Sequence, residues 1–346
     1  MAAQSLTSAA LIAALEGGLI REDVMEQITD ISEFPLTFTD LIGRDSHKNE
    51  YCEWTKDELA AQNLANATVD GTDQDNDDTK VGTREGNHSQ TSVKQVKVSH
   101  RADASDTIGR AKETTYQINR RSEELRRDVE GIMLNNQPSL ADNGDTVAGL
   151  AASFQSWLVT NTFRGATGAN GGFAATTPTI CDAPTPGTKR ALTETLVRDA
   201  AQAAYEAGGN PDILMSTPSV IRKFSEFMFD DTARVGIQQT QTGQNESPSK
   251  AIGSVNVFTS DFGSVLRMTP NRLMPNYAGD ATVADMLLVD PMGLRLSMMY
   301  GLNAQELGKT GLYENWLMSQ DWSLKVLNEA QHAVIADIDQ TLAVTA

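Results

Sequence analysis

The stretch SDTIGRAKETTYQINRRSEELRRDVEGIML, residues 105–134, predicts one unbroken helix without a catalytic side chain. Apolar and small residues recur in it at steps of three and four, which keeps one narrow face of a helix turned toward a core. That face comprises Ile108, Ala111, Thr115, Ile118, Ser122, Leu125, Val129 and Ile132. At about 1.5 Å per residue such a helix extends roughly 45 Å, so we expect it to span its domain.

Composition limits the classes of protein to which the chain can belong. Its 346 residues, of which 40% are hydrophobic, are enough for two packed regions. A formal net charge of −18 argues against a protein that grips nucleic acid, because that affinity comes mostly from cations that neutralise phosphates. Cys52 and Cys181 are far apart and lack metal-ligand spacing, which favours a reducing compartment. No apolar run approaches the roughly twenty residues of a membrane span.

Residues 44–101 have the pattern of a long hairpin. Tyr51, Cys52 and Trp54 lie on the outgoing flank, and Val93, Val96 and Val98 alternate with polar residues on the returning flank. A lone hairpin is marginally stable in water, so we expect the flanks to pack upon a neighbour. The pattern is typical of an assembly device.

The rest of the chain predicts a mixed α/β body. Residues 137–190 are rich in Gly and Thr and predict a flexible loop, anchored by Phe154 and Trp157. A helix from Leu192 to the glycines at 208 and 209, a helix opened by Pro218, and several strands follow. The predicted strands are 213–215, 255–258, 265–268, 286–289, 294–298 and 322–326, and the later ones are expected to cover the long helix.

Two stretches resemble ligand sites and fail at defining positions. Asp73, Asp75 and Asp77 occupy the first three ligand positions of a calcium loop, but Asp78 stands where that loop needs glycine and Arg84 where it needs glutamate. Gly308, Lys309 and Thr310 match the end of a phosphate-binding loop, but Asn303 replaces its first glycine. We therefore expect a solvated acidic tip and no nucleotide site.

A catalytic constellation is also missing from the sequence. The four histidines are scattered, at His47, His88, His100 and His332, and no serine lies in a nucleophile elbow. The sequence therefore assigns no catalytic, cofactor-binding or metal residue, and predicts no cofactor and no enzymatic activity.

Seven short motifs resemble those of tailed-phage major capsid proteins with the Hong Kong 97-like shell fold, in the branch typified by phage SU-ten. They cover almost the whole chain: REDVMEQI (21–28), EWTKDEL (53–59), EELRRDVE (123–130), RALTE (190–194), SDFG (260–263), ELGKTG (306–311) and VLNEA (326–330).

The resemblance implies an α+β fold with a defined order of parts. These are an N-terminal arm (1–43), an extended hairpin (44–101), the spine helix of a peripheral domain (102–136), a Gly/Thr-rich loop or insertion (137–190), a mainly axial region (191–280) and closing strands of both domains (281–346). It implies no active site.

The same resemblance implies a structural function. The chain would assemble through pentamers and hexamers into an icosahedral head around double-stranded DNA, which it would not bind sequence-specifically. Its partners would be other copies of itself, with scaffolding, portal or decoration proteins as further candidates and no membrane. It would be made in the bacterial host cytoplasm and end in the virion.

Two alternatives stay open on the sequence alone. An encapsulin-like compartment shares the fold and would need a cargo-binding groove, which the sequence does not identify. A soluble α/β enzyme would need a carboxylate site without a known motif.

Overall fold

The computed structural model describes residues 35–65, 67–71, 73, 81–105, 109–226, 257–274 and 280–342. Within them the fold combines helices and sheets, which confirms the α+β class. The helices are α1 (Thr37–Leu41), α2 (His100–Ala104), α3 (Glu113–Leu134), α4 (Phe154–Trp157), α5 (Glu194–Glu206) and α6 (Pro218–Glu226). The strands are β1 (Gly43–Ser46), β2 (Tyr51–Lys56), β3 (Thr83–His88), β4 (Gln90–Ser99), β5 (Thr162–Phe163), β6 (Gly172–Phe173), β7 (Cys181–Asp182), β8 (Ile213–Ser216), β9 (Val257–Thr259), β10 (Val265–Pro270), β11 (Val283–Val289), β12 (Leu294–Glu306), β13 (Tyr313–Val326) and β14 (Ala333–Asp339).

A four-stranded sheet packs against α3. Its strand order is β1, β12, β13, β4, and β12 and β13 form a long antiparallel hairpin. Because side chains alternate across a strand, one face of β4 turns toward the helix. Val96 and Val98 of that face are buried with Leu125 of α3 and Met318 of β13, whereas Val93 lies on the opposite face and is exposed. The predicted packing of the closing strands on the long helix is confirmed.

The long helix is shorter than the sequence predicts. It begins at Glu113 and has 22 residues, which corresponds to about 33 Å. Gly109 has a φ of 74°, a left-handed conformation that an α-helix does not accommodate, and α2 is a separate short helix before it. The predicted continuous helix over residues 105–134 is therefore wrong in its first turns, and Ile108 lies outside the described residues.

The buried face of α3 also differs in detail from the predicted one. Thr115 is exposed, while the helix buries Thr114, Leu125, Val129, Glu130, Met133 and Leu134. The predicted face included neither Glu130 nor the last two residues of the helix. The core therefore contacts the carboxyl-terminal half of α3 most extensively.

The predicted hairpin is correct for residues 51–88 and wrong for its returning flank. Strands β2 and β3 pair antiparallel, from Tyr51 opposite His88 to Lys56 opposite Thr83. The alternating valines instead form β4, which pairs with β13 over ten residues. The pair β2 and β3 forms a two-stranded ribbon whose base packs on the body. There Cys52 is buried and the ring of Trp54 lies 5.3 Å from that of Trp157.

A six-stranded sheet forms the second half of the body, with the strand order β5, β14, β11, β8, β10, β9. The predicted strands at 213–215, 265–268 and 286–289 are confirmed within β8, β10 and β11. Helix α5 buries Val197, Ala200, Ala201 and Ala204 against this sheet, and Gly208 ends that segment with a φ of 83°. Val220 and Phe224 of α6 join the same apolar cluster.

Residues 137–190 are packed into the body. Every residue from 151 to 158 is buried, and Phe154 and Trp157 anchor the segment as the sequence predicts. A Cβ atom on Gly165 would lie 2.0 Å from the carbonyl oxygen of Thr188, and one on Gly171 would lie 2.5 Å from that of Ser156. Close contact between backbones explains these two glycines, where the sequence predicted a flexible loop.

Candidate assembly surfaces

The four histidines lie in separate environments with different partners. His47 Nδ1 lies 2.9 Å from Ser297 Oγ, the ring of His88 packs 4.7 Å from that of Tyr51, and His100 lies in the exposed helix α2. His332 accepts a hydrogen bond from the backbone N–H of Asp290 through Nδ1. Burial lowers the pKa of His332 to about 3, so its ring is neutral at physiological pH. The histidines are not assembled into one site.

The two stretches that resemble ligand sites lie in a turn and in a loop. Gly308, Lys309 and Thr310 lie in the turn between β12 and β13, where Lys309 pairs with Glu306 at 3.0 Å, and no helix follows to bind a phosphate. Of the acidic tip, Asp73 is described, while Asp75, Asp77 and Asp78 lie outside the described residues. Within the described part of the chain, no cluster of three His, Cys, Asp or Glu side chains can hold a metal ion.

Both cysteines are buried thiols. Burial raises the pKa of Cys181 to about 12 and also raises that of Cys52. A thiol with a raised pKa is a weak nucleophile at neutral pH. Cys181 donates to the carbonyl oxygen of Ser156 at 3.0 Å, which supports a packing role.

A buried polar network joins residues 137–190 to the six-stranded sheet. Asp337 of β14 has a φ of 62°, and its carboxylate accepts hydrogen bonds from the backbone N–H groups of Gly165 and Gly187, both at 2.9 Å. Asp285 of β11 accepts from the N–H of Asp337 at 2.9 Å. Burial raises the pKa of Asp285 to about 6. Neither residue was singled out from the sequence, although an acid within an apolar strand is a usable signal.

A candidate contact surface lies in the loop that joins β2 to β3, residues 57–82. Four of its apolar side chains point into solvent: Leu59 is 92% exposed, Leu64 91%, Val69 78% and Val81 92%. A partner that covered these side chains would remove apolar surface from water, which is favourable. Nothing in the described body of the same chain covers them.

Charge is distributed unevenly along the chain. The same loop carries seven acidic residues against one lysine, Lys80. The next stretch, residues 83–127, reverses the balance with ten basic and six acidic residues. Within it, Arg101, Lys112 and Arg126 are exposed and form no ion pair with described residues. The sequence is thus acidic over residues 57–82 and basic over residues 83–127.

The four-stranded sheet leaves backbone unpaired along β12. Strand β1 covers only Arg295 to Met298, so the edge of β12 from Met299 onward has no partner strand in the described chain. Met299 and Tyr300 are exposed there. Unpaired strand edges bind further strands unless they are covered, so this edge is a second candidate contact surface.

Known proteins resemble this chain over almost its full length. The family model described as "SU10 major capsid protein" matches residues 4–339. The major capsid protein of Escherichia phage Phieco32 is 25% identical over 343 residues, covering 89% of this chain and 91% of that protein. Among the described residues, no helix has the length and apolar composition needed to cross a membrane.

Solved structures share the fold at low sequence identity. The capsid of a native GTA particle is 14% identical with a TM-score of 0.57, covering 96% of this chain and 99% of that one. A solved structure from Microbacterium phage Oxtober96 shares the fold at 11% identity and a TM-score of 0.57, covering 97% of this chain and 100% of that one. The holo-SrpI encapsulin complex of Synechococcus elongatus PCC 7942 has 13% identity and a TM-score of 0.56, covering 99% of both chains.

These structural likenesses establish the fold, which phage capsids and an encapsulin share. The family model, which spans nearly the whole chain, distinguishes between the two uses of that fold. The chain belongs to the SU10 major capsid protein family, and its function is that of a phage major capsid protein, the repeated structural subunit of an icosahedral shell.

Proposed function

We propose that this protein assembles through pentamers and hexamers into a closed head that encloses double-stranded DNA. The exposed apolar side chains of the loop between β2 and β3 are the observation that supports this most directly. The loop exposes Leu59, Leu64, Val69 and Val81 beyond the body of its own chain. In a shell every subunit is surrounded by other copies, so a second copy is the partner that can cover these side chains. Full burial of each larger side chain contributes on the order of 1.5 to 3 kcal/mol to the free energy of association.

The parts of the chain take distinct roles in this proposal. The arm (1–43) and the ribbon with its loop lie across neighbouring copies, and α3 is the spine of a peripheral domain. Residues 191–280 form most of an axial domain around the capsomer centre, and residues 281–346 supply closing strands to both domains. Two apolar clusters support this division, one between α5, α6 and the six-stranded sheet and one between α3 and the four-stranded sheet. A third cluster joins the two sheets.

The charge of the protein is compatible with a genome container. At −18 the chain repels DNA phosphates, so a wall built from many copies would leave a packaged genome free to slide. We propose no sequence-specific DNA contact. Scaffolding, portal or decoration proteins are the further partners in this proposal, with synthesis in the host cytoplasm and a final location in the virion.

An encapsulin-like compartment is the second candidate function. The encapsulin match of 13% identity supports only the shared fold. The family match favours the phage head. A cargo enzyme that co-purifies with shells of this protein in stoichiometric amount would favour the compartment instead.

Serine substitutions in the loop test whether it makes contacts between copies. Leu59→Ser and Leu64→Ser replace side chains that touch little within their own chain, so we expect unchanged thermal unfolding of the unassembled protein. The yield of closed shells, counted by electron microscopy after size-exclusion chromatography, should fall at least severalfold. Val147→Ser is the matched control, since Val147 is also exposed but lies in a turn on the body. Shell yields equal to the wild type for both loop variants would contradict the proposed role.

A further inference from the structure

The short helix α1 lacks a cap of its own. Its N-cap position is occupied by Leu36, whose side chain cannot accept a hydrogen bond, and no side-chain cap is formed. The first N–H groups of a helix have no partner within the helix and need an acceptor from elsewhere when buried. Phe38 is completely buried, so its N–H needs an acceptor from the protein, while Thr39 is partly buried.

Glu130 of α3 supplies the acceptors. Its Oε1 accepts from the backbone N–H of Phe38, and its Oε2 accepts from that of Thr39, both at 3.2 Å. The two donors are 91 and 92 residues away in sequence. A carboxylate at the first turn of a helix also interacts favourably with the helix dipole. Glu130 therefore caps α1 from a different helix.

Glu130 also forms a hydrogen bond to a residue at the end of a strand of the six-stranded sheet. Asn271, which follows β10, donates from Nδ2 to Glu130 Oε1 at 2.8 Å. The backbone N–H of Asn271 donates to the carbonyl oxygen of Ser216 at the end of β8, at 3.0 Å, and its Oδ1 accepts from the N–H of Leu273 at 2.7 Å. A single side chain thus joins α1, α3 and the carboxyl ends of the neighbouring strands β8 and β10.

Burial of the Glu130 carboxylate lowers the stability of the fold unless all of its hydrogen bonds are formed. The residue is 0% exposed, and it forms no ion pair with the described residues. A buried carboxylate without a cation is stable only where hydrogen-bond donors replace its water, and a hydrogen bond to a charged group is stronger than a neutral one. An apolar side chain would fill the same space without this requirement for three donors.

We propose that Glu130 is a positioning residue for assembly: it fixes the place and direction in which the chain enters the body at residues 35–41, and ties that point to the six-stranded sheet. The inference rests on the proposed function for its effect on shells, and on the contacts of the single chain for its geometry. Removal of the carboxylate releases α1 while the apolar contacts of Phe38 with the core persist.

Hydrogen exchange of the unassembled chain tests the geometry. In Glu130→Gln the amide oxygen takes the place of Oε1, which accepts from both Phe38 and Asn271, and the NH₂ group replaces Oε2 beside the N–H of Thr39. The backbone amide of Thr39 should therefore exchange about tenfold faster or more. Glu123→Gln is the matched control, an exposed glutamate on the same helix, and should leave these amides unchanged. If Glu130→Gln does not fold, Asn271→Ser, which removes one donor and keeps the carboxylate, serves as the milder variant.

A paired substitution separates positioning from general loss of stability. In the double variant Glu130→Gln/Asn271→Asp the carboxylate moves to position 271, where it accepts from the side-chain NH₂ group introduced at position 130. The side-chain amide oxygen at position 130 then takes the place of Oε2 and accepts from Thr39, while the NH₂ group lies beside the N–H of Phe38. We expect this double variant to recover most of the slow exchange at residue 39 and to exchange faster at residue 38. If Glu130→Gln only loosened the core in general, swapping the carboxylate and the amide between positions 130 and 271 would not restore slow exchange.

Shell formation supplies the second readout. Glu130→Gln should lower the yield of closed shells and increase protease cleavage at residues 35–42, whereas Glu123→Gln should do neither. Exchange at residue 39 within twofold of the wild type in Glu130→Gln would overturn the proposal. Faster exchange with normal shells would also overturn the positioning role. The loop variants Leu59→Ser and Leu64→Ser test the proposed function independently of this site.

Discussion

At the scale of single residues, Asp285 links stability to pH. Its pKa is raised by burial from the ordinary 3.8 to about 6, so the folded chain binds this proton more tightly than the unfolded chain does. The resulting stabilisation is complete below pH 3.8 and is lost as the pH rises through 6. A shift of this size corresponds to about 3 kcal/mol.

Substitution of Asp285 isolates this effect from the other carboxyl groups. Asp285→Asn resembles the protonated side chain at every pH. Between pH 4 and 7 we therefore expect the wild type to lose about 3 kcal/mol of unfolding free energy relative to the variant. Urea unfolding at a series of pH values measures the difference. Parallel stability curves for the two proteins would show that Asp285 does not titrate in this range.

Gly165 and Gly131 differ in the space that a Cβ atom would have, so alanine substitutions at the two positions should have opposite effects on stability. Gly165→Ala places a Cβ atom 2.0 Å from a backbone oxygen, so the backbone must shift, and we expect a loss of about 2 kcal/mol or more. Gly131 lies in α3, where nothing would approach its Cβ within 4 Å. Gly131→Ala should stabilise the protein by about 0.5 to 1 kcal/mol. Chemical denaturation measures both, and equal effects would contradict the close approach at Gly165.

At the scale of secondary-structure elements, the contact between α3 and the four-stranded sheet is the main one to test. Leu125 is buried among Val96, Val98 and Met318. Leu125→Ala leaves a cavity there, and we expect a loss of about 2 to 5 kcal/mol, the usual range for such truncations. Thr115→Ala, at an exposed position of the same helix, should change stability by less than about 0.5 kcal/mol. A small effect at Leu125 would mean that the sheet does not cover the helix.

The same elements show what the sequence could predict. Periodicity identified α3 and the burial of Leu125 and Val129, because packing on one face repeats every three to four residues. Periodicity did not reveal that Gly109 interrupts the helix, since its left-handed φ is a property of the folded turn. The partner of β2 was also missed, because β3 has the sequence TREGNH and lacks the apolar alternation of a strand.

The sequence contains no known catalytic motif, and it did not predict which surfaces of the folded chain are available for contact. Glu130 counts as one charge among many on a predicted outer face. Its burial becomes visible only when α1 and Asn271, 91 or more residues away in sequence, are brought beside it. The exposure of Leu59 and Val81 likewise depends on a loop that projects from the body. Long-range contacts of this kind leave no local pattern.

At the scale of the whole molecule, the uneven charge predicts an assembly that responds to salt. We expect the acidic residues of 57–82 and the basic residues of 83–127 to attract each other between copies, and salt screens attraction between exposed charges. We expect the initial rate of assembly, followed by light scattering, to fall as salt rises from low to physiological concentration. Arg126→Glu should slow assembly further, while Glu123→Gln should not. A rate that increases steadily with salt would indicate that apolar contacts alone drive association.

The most direct test of the whole account is electron cryomicroscopy of the chain purified after co-expression with the neighbouring gene products. We expect closed icosahedral shells built from pentamers and hexamers, in which each β2–β3 ribbon lies across an adjacent copy and buries Leu59 and Leu64. A uniform population of monomers under these conditions, or shells in which the ribbon contacts only its own chain, would contradict the account.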